Sequence, residues 1–337
     1  MRRHHLALSA LLAGSALLGC TARGHDPAVR EVRIALSRDG ITWLPIYIAQ
    51  SLGYYQEQAL TVTISDVAGL SKGMEALLGG SVDVAASMPA LTVQVAVEGR
   101  ALQTFLSFAA RPSMALVVAP KARATIRSIA DLRGRRVGVS SPGSATHLLL
   151  NYALVSNGVS PHEVSIISIA AGAASLAAIE HGQVDAAALI SSAITVMEER
   201  HPDLRILVDM RTPTGTETAV GSPTFPSSTL VAKPEWLKGD NEVARRFVRA
   251  TLEGMQWMRS HSPEEVRTHI PEALRMPDAS GDVAAIRLFQ RNLSPDGAMP
   301  ADGFDIARRV VAASNEKVRA TPLDLTRLFT NEFVRQP

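Results

Sequence analysis

The chain has 337 residues, of which 46% are hydrophobic and only 4% are aromatic. This length usually corresponds to more than one domain or lobe, and the composition predicts a core of Ala, Val, Leu and Ile side chains. The formal net charge of +2 provides no strong basic field, which argues against nucleic acid as a partner.

The first twenty residues have the features of a secretory signal. Two arginines precede an apolar run at 6–19, which is too short for a comfortable membrane span. The run ends in LLGC, which resembles the lipobox of bacterial lipoproteins, whose cysteine is lipidated and becomes the first mature residue. Cys20 is the only cysteine, so no internal disulfide is expected. We predict a signal peptide at 1–20, a tether at 21–31, and a protein anchored by lipidated Cys20 in the periplasm or at the cell surface.

From Val32 onward, short β-branched runs alternate with helical stretches. The first block predicts strands at 32–37, 60–67, 82–87, 102–108 and 114–118, and helices at 42–55, 72–80 and 88–97. The second block predicts strands at 136–141, 164–170, 184–191 and 205–210, and helices at 144–158, 173–182 and 193–202. Such alternation predicts mostly parallel sheets flanked by helices.

The second block is an internal repeat of the first. Segment 76–86 aligns with segment 178–188, and each copy has a helix end, a glycine and a Val-Asp strand start. Gly80 and Gly182 suit the left-handed position that closes a helix. The repeat therefore predicts two similar α/β lobes.

The last part of the chain is mainly helical. Segment 228–237 reads as a short strand followed by a proline-initiated turn and precedes helical segments from Asn241 onward, which we expect to cover the first lobe. The chain would then cross between the lobes twice, near 115–119 and 213–231, and two crossings form a hinge. The predicted domains are residues 32–116 with 228–337 for lobe 1, and residues 117–227 for lobe 2.

Small polar residues follow several predicted strands. Ligands of open α/β sheets bind at the carboxyl ends of strands, beside helix N-termini. The candidate ligand-binding residues are Trp43, Leu44, Gly69, Ser71, Ser87 and Met88 in the first lobe, and Ser141, Gly143, Ser144, Thr146 and Ser191 in the second. Ser144 or Thr146 could instead cap its own helix, and Trp43 could contact the ligand or pack beneath the first helix. Together the residues predict a cleft between the lobes.

Catalytic and metal-binding motifs are missing from the sequence. GVSSPG has Pro142 where a nucleophile elbow needs a second glycine, and GLSKG lacks the spacing of a phosphate-binding loop. The histidines after the signal segment show no HxxxH or HExxH pairing. We therefore expect a binding protein that is not an enzyme, with no cofactor and no metal. Asp83 and Asp185 are interpreted as turn residues, and the basic run at 121–136 as a solvated face, with transporter docking as the alternative.

The sequence carries, in this order, the stretches WLPIYIAQSLGYYQEQALTVTI, GMEALLGGSVDVAAS, SIADLRGRRVGVSSPGSATHLLLNYALVSNGV, SLAAIEHGQVDAAAL and FVRATLEGMQWMRSHSPEEV. Their order and spacing resemble those of nitrate/sulfonate/taurine-type substrate-binding proteins of ABC importers. The resemblance implies a type II periplasmic-binding-protein fold with a two-strand hinge. It also implies a monomer that closes on a small molecule and delivers it to a membrane permease.

The resemblance leaves the ligand open. Two helix N-termini that face one cleft favour a small anion, such as a sulfonate, nitrate or a carboxylate, and a heteroaromatic ligand is also open. A secreted small-metabolite enzyme and a ligand sensor on the same fold are the alternatives that the sequence leaves open.

Overall fold

The structure, a computed structural model, describes residues 28–37, 40–67, 69–170, 172–275 and 279–335. Its strands are β1 (Arg30–Ser37), β2 (Leu60–Val67), β3 (Val84–Ser87), β4 (Gln103–Ala109), β5 (Met114–Val118), β6 (Arg136–Val139), β7 (Ser165–Ser168), β8 (Ala186–Ile190), β9 (Ile206–Asp209) and β10 (Ser228–Ala232). The helices of the first half are α1 (Leu44–Ser51), α2 (Tyr54–Glu57), α3 (Leu70–Gly79), α4 (Pro89–Val97), α5 (Ala145–Ser156), α6 (Ala173–Glu180) and α7 (Ser191–Arg200). The remaining helices are α8 (Pro213–Val220), α9 (Pro234–Gly239), α10 (Asn241–Ser260), α11 (Pro263–Thr268), α12 (Ala279–Asn292), α13 (Gly303–Ala312) and α14 (Glu316–Ala320).

The strands form two five-stranded sheets of the same topology. The first has the order β2-β1-β3-β10-β4 and the second has the order β7-β6-β8-β5-β9. In each sheet, as far as the structure describes it, one strand runs against its neighbours: β10 in the first and β5 in the second. Each reversed strand is the one by which the chain enters from the other sheet. The predicted α/β fold of two mostly parallel sheets flanked by helices, built on an internal repeat, is confirmed.

The carboxyl ends of the two sets of parallel strands lie close together. Only four residues, 110–113, connect the end of β4 to the start of β5, and five extended residue steps span at most about 17 Å. In the second sheet Met114 pairs with Ile190, the last residue of β8. In the first sheet Thr229 pairs with Ser87, the last residue of β3. The chain therefore enters each sheet at the edge that holds the carboxyl ends of the parallel strands. This is the edge at which a ligand cleft is expected.

The first crossover differs from its predicted position, and the second lies inside its predicted range. The predicted crossing at 115–119 lies in β5, a strand of the second sheet, and the predicted crossing at 213–231 contains α8 and β10. The connections lie at 110–113 and 221–227, where the N–H of Phe225 donates to the carbonyl of Ala110 over 2.8 Å. The apolar and β-branched residues of β5 fit a buried strand as well as they fit a segment that connects the lobes. The sequence pattern alone therefore did not show which of the two this segment forms. We propose that lobe 2 begins at residue 114.

The C-terminal helices contact both lobes. α10 packs against α1 and α2 of the first lobe, as expected. α12 also packs against α7, and α13 lies between α4 of the first lobe and α5 of the second. Phe304 of α13 shares one apolar cluster with Val93 of α4 and Leu148 of α5. The C-terminal helices therefore cover the first lobe, as expected, and α12 and α13 also contact the second lobe.

The two lobes have an Asp–Arg ion pair at equivalent positions of the internal repeat. In the first, the Asp83 carboxylate accepts hydrogen bonds from the backbone N–H of Arg33 (2.9 Å) and from its guanidinium (2.7 Å). In the second, Asp185 accepts the same bonds from Arg136 at 2.9 and 3.2 Å. The aspartates thus hold the starts of neighbouring strands in register. Burial acts to raise the pKa of both carboxyls, but the bonds from arginine outweigh it, so both pKa values lie below their ordinary value.

Replacing both aspartates with asparagine is expected to make the free energy of unfolding depend less on pH in the acidic range. A carboxyl whose pKa is lower in the folded state stabilises the fold above its unfolded pKa of about 4 and loses that contribution as the pH falls further. The wild-type free energy of unfolding should therefore drop more steeply below about pH 4 than that of the Asp83→Asn, Asp185→Asn variant. Urea unfolding at a series of pH values measures both, and parallel profiles would contradict the expectation.

Candidate ligand-binding site

The loop between β6 and α5 is built around the hydroxyl of Thr146. This buried oxygen accepts a hydrogen bond from the backbone N–H of Ser140 over 3.0 Å. It lies 2.9 Å from the hydroxyl oxygens of both Ser140 and Ser144. Ser144 also caps α5 by accepting from the N–H of His147. The predicted capping role is therefore correct for Ser144, and Thr146 shapes the loop.

Capping leaves part of the helix N-terminus available. Within the described residues, the N–H groups of Ala145 and Thr146 have no hydrogen-bond acceptor. Ser141 and Gly143 are exposed in the same loop, and Gly143 has a φ of 76°. Free N–H groups at the positive end of a helix dipole attract anions. This loop therefore provides backbone donors and hydroxyl groups at the carboxyl end of β6.

His147 holds the loop from the first turn of α5. Its Nδ1 accepts a hydrogen bond from the N–H of Gly143 over 2.8 Å. An accepting Nδ1 carries no proton, so the neutral ring bears its proton on Nε2. Burial lowers the pKa of His147 from its ordinary value, which favours this neutral form. Protonation would place an N–H at Nδ1 against the N–H of Gly143.

The imidazole of His147 is expected to titrate below about pH 6.5, the ordinary histidine value. Because the folded pKa is lowered, the stabilisation by this ring is complete above that value and is lost as the pH falls through the lower folded pKa. Nitrogen-15 NMR of the side chain measures both the midpoint and the tautomer. A midpoint at or above the ordinary value, or a proton on Nδ1, would disprove this account.

The first lobe places a second exposed helix N-terminus after β2. Gly69, with a φ of 94°, precedes α3, and Ser71 lies exposed in the first turn. The N–H groups of Leu70 and Ser71 have no acceptor among the described residues. The left-handed backbone at Gly69 is one that side chains rarely adopt. Gly69 and Ser71 are therefore the first-lobe candidates with the same features as the loop after β6.

Four other first-lobe candidates are buried. Trp43 is 1% exposed, donates from Nε1 to the Ser37 hydroxyl over 2.9 Å, and packs edge-to-face on Phe108. Leu44, Ser87 and Met88 are also buried. Trp43 thus follows the packing alternative in this conformation, because its ring fills the space under α1. Ser87 and Met88 still mark the carboxyl end of β3, where α4 begins.

Two predicted residues fall outside what the structure describes. Ser191 begins α7 at the carboxyl end of β8, but its side chain lies outside the described part. Cys20 precedes the first described residue. Their assignment to the ligand site and to lipidation stays a prediction.

The crossover contributes further polar residues to this edge of the sheets. The Arg111 guanidinium donates to Asn292 Oδ1 over 2.9 Å, and its Nε is buried without a partner among the described residues. Burial lowers the pKa of this group from its ordinary value, although an arginine remains charged at neutral pH. Thr229 pairs in register with Ser87 and Ser107 and forms a row of buried hydroxyl residues. The seryl-threonyl pair that follows the proline-rich crossover was the only sequence signal for this row.

These features are those of a two-lobed α/β protein whose facing strand ends carry helix N-termini, hydroxyl groups and the half-buried guanidinium of Arg111. Within the described residues no group of three or more His, Cys, Asp or Glu could hold a metal ion. No helix in the described ranges has both the length and the apolar composition that a bilayer span needs.

Comparison with known proteins agrees with this class. The profile of the NMT1/THI5-like family matches residues 41–266. YtlA of Bacillus subtilis (strain 168), which is named as a binding protein, is 22% identical over 304 residues, or 88% of this chain and 87% of YtlA. A solved structure from Bordetella bronchiseptica RB50 is 30% identical with a TM-score of 0.78, covering 90% of this chain and 95% of that one.

The fold is also that of SsuA, the periplasmic aliphatic sulphonate binding protein of Escherichia coli. The two share 18% identity with a TM-score of 0.65, over 92% of this chain and all of that one (100%). The chain therefore belongs to the NMT1/THI5-like family and has the periplasmic-binding-protein fold. The predicted resemblance to sulfonate- and nitrate-type substrate-binding proteins is confirmed, and the family relationship supports a solute-binding role.

Proposed function

We propose that this protein is the extracytoplasmic solute-binding component of an ABC importer, and that it captures a small anion between its lobes by hinge closure. The observation that carries the proposal is the juxtaposition of two sheet edges by a four-residue crossover. Each of these edges presents a helix N-terminus with free backbone donors. A ligand that contacts both edges only in the closed state shifts the open–closed equilibrium by its differential affinity.

The site favours an anion for three physical reasons. The N–H groups of Ala145 and Thr146 on one lobe, and of Leu70 and Ser71 on the other, are donors without acceptors among the described residues. Each helix dipole stabilises a nearby negative charge by about 0.3–1 kcal/mol, more when partly buried. Arg111 adds a fixed positive charge at the crossover. Sulfonates, for which the Escherichia coli relative is named, match this chemistry, as do nitrate and carboxylates.

A thermal-shift screen of the purified mature protein tests the proposal. The compounds are sulfonates, nitrate, aromatic carboxylates, pyrimidines and flavins. A ligand at about 100 times its Kd should add about 2.7 kcal/mol to the free energy of unfolding. Recovery of the unchanged compound after incubation supports a transport binder, whereas its consumption would show an enzyme. Ser141→Glu places a negative charge in the exposed loop and should abolish the shift, while Ser81→Glu, an exposed serine at the opposite end of β3, should not.

Lipidation of Cys20 is a separate part of the proposal. We propose that the mature monomer begins at this cysteine and stays at the membrane beside its permease. Cys20→Ala should release the protein from the membrane fraction into the soluble fraction, because a lipid chain is the proposed anchor. Fractionation with mass spectrometry of the N-terminus measures this. An unmodified N-terminus in the wild-type protein would contradict it.

A further inference from the structure

A second concave region lies outside the cleft, along α5. This groove, named here the α5–α14 groove, has a volume of about 660 Å³ and is lined by His147, Asn151, Val155, His162, Ser314 and Arg319, among others. One wall is α5 with the segment that leads into β7. The other wall is the connection from α13 to α14. Its volume is in the range of pockets that hold small molecules.

The charges of the groove have one sign. Arg319 is exposed and has no ion-pair partner among the described residues. His147 and His162 are the other ionisable residues of the lining, which contains no aspartate or glutamate. Glu163, next to His162, is held by the N–H of Ser160 and by Arg133. The groove therefore offers a free guanidinium and imidazole donors to a negatively charged group.

His147 supplies a directed donor. Its Nδ1 is occupied by the N–H of Gly143, so the proton of the neutral ring is on Nε2. His147 lines the groove, and Nε2–H is the ring donor that the loop after β6 leaves unused. The same imidazole thus belongs to both the loop after β6 and the groove.

Asn151 supplies an acceptor that the protein leaves unused. It lies one turn beyond His147 on α5, is only 5% exposed and lines the groove. Its Oδ1 is buried without a hydrogen-bond partner among the described residues. Such a group is costly in a folded protein and indicates a missing partner. Rotation of the side chain would bring this oxygen to the groove, where a hydroxyl group of the occupant donates to it.

We propose that the α5–α14 groove is a second ligand site, distinct from the cleft, for a small organic anion that carries a hydroxyl group. Arg319 and His147 bind the anionic group, and Asn151 accepts from the hydroxyl group. The two walls are α5 of the second lobe and the α13–α14 connection, whose helices pack on α4 of the first lobe. An occupant therefore contacts elements of both lobes.

Isothermal titration calorimetry of the purified protein with glycerol 3-phosphate tests the anion site. Arg319→Glu should weaken binding by about tenfold or more, as expected for loss of a charge-assisted contact. Arg100→Glu makes the same charge change at another exposed arginine and should leave binding unchanged. Undetectable binding to the wild-type protein, or equal binding to both variants, would overturn the proposal. Loss of binding in Ser71→Glu, which changes the first-lobe edge of the cleft, together with retention in Arg319→Glu would assign the probe to the cleft and overturn it as well.

Comparison of two probes tests the hydroxyl group. Glycerol 3-phosphate should bind more tightly than propyl phosphate, which has the same phosphate and chain length without the hydroxyl groups. Asn151→Leu replaces the amide with an apolar group of similar shape and should abolish this preference while the phosphate still binds. A preference that persists in the variant, or that is absent from the wild-type protein, would refute the role of Asn151. Ser71→Glu alters the first-lobe edge of the cleft, and Ser71 does not line the groove, so failure of this site and failure of the proposed transport function are distinguishable.

Discussion

Thr146→Val is expected to lower the affinity for the cleft ligand by about tenfold and the free energy of unfolding by about 1–2 kcal/mol. Valine keeps the shape of threonine, so packing is preserved and only the hydroxyl is lost. That hydroxyl accepts from the N–H of Ser140 and touches the hydroxyl groups of Ser140 and Ser144. Without it the N–H of Ser140 is unpaired, and the loop no longer holds its donors in one arrangement.

Thr92→Val is the matched control for this prediction. Thr92 lies in the first lobe near the start of α4, is fully buried, and its hydroxyl has no partner among the described residues. Removing an unpaired buried hydroxyl is neutral or stabilising. Urea unfolding and calorimetry with a ligand from the thermal-shift screen measure both variants. Equal behaviour of Thr146→Val and Thr92→Val would show that the hydroxyl of Thr146 does not organise the site.

Gly254→Ala is expected to cost about 1–3 kcal/mol of stability through overpacking. Gly254 lies in α10, where a Cβ would stand 2.4 Å from the carbonyl oxygen of Pro45 and 3.2 Å from the Cβ of Ala49. Both contacts belong to α1, and a backbone oxygen cannot move aside without shifting that helix.

Gly79→Ala provides the same substitution without the contact. Gly79 is the last residue of α3, and a Cβ there would meet nothing within 4 Å. Alanine is a better helix former than glycine by about 0.5–1 kcal/mol, so this variant should be as stable as the wild-type protein or more so. Thermal unfolding of the two variants measures the difference. A Gly254→Ala protein as stable as Gly79→Ala would rule out close packing of α1 and α10.

Local elements were predictable because their signals are local. β2 occupies the predicted residues 60–67, since its β-branched residues suit a pleated sheet. Gly80 and Gly182 adopt the left-handed conformation that closes a helix, with φ values of 81° and 73°. The predicted helix at 42–55 is divided into α1 and α2 at Gly53, whose φ is 82°. Gly53 indicated a break in the helix, but the apolar pattern typical of a helix continues on both sides of this glycine.

The candidate site was predictable only in part. Position at a strand end placed Ser141, Gly143 and Ser144 in a loop with free donors, because the chain order of strand and helix determines which residues lie there. Trp43 does not belong to such a loop because it is buried. The sequence did not predict this, since the residues that bury Trp43 include Phe108 of β4, which is distant along the chain. The role of His147 in holding Gly143 depends on a side-chain rotamer, which periodicity does not predict.

The sequence by itself determined the alternation of strands and helices, the repeat that makes two lobes, and the family, because each rests on short-range patterns and their order. Only the tertiary structure decided which strand ends face each other, where the chain crosses between lobes, and how α12 and α13 contact both of them. Those features depend on contacts between residues up to about two hundred positions apart, such as Arg111 with Asn292. Such contacts form when apolar faces from distant segments are buried together, and a local pattern does not specify their partners.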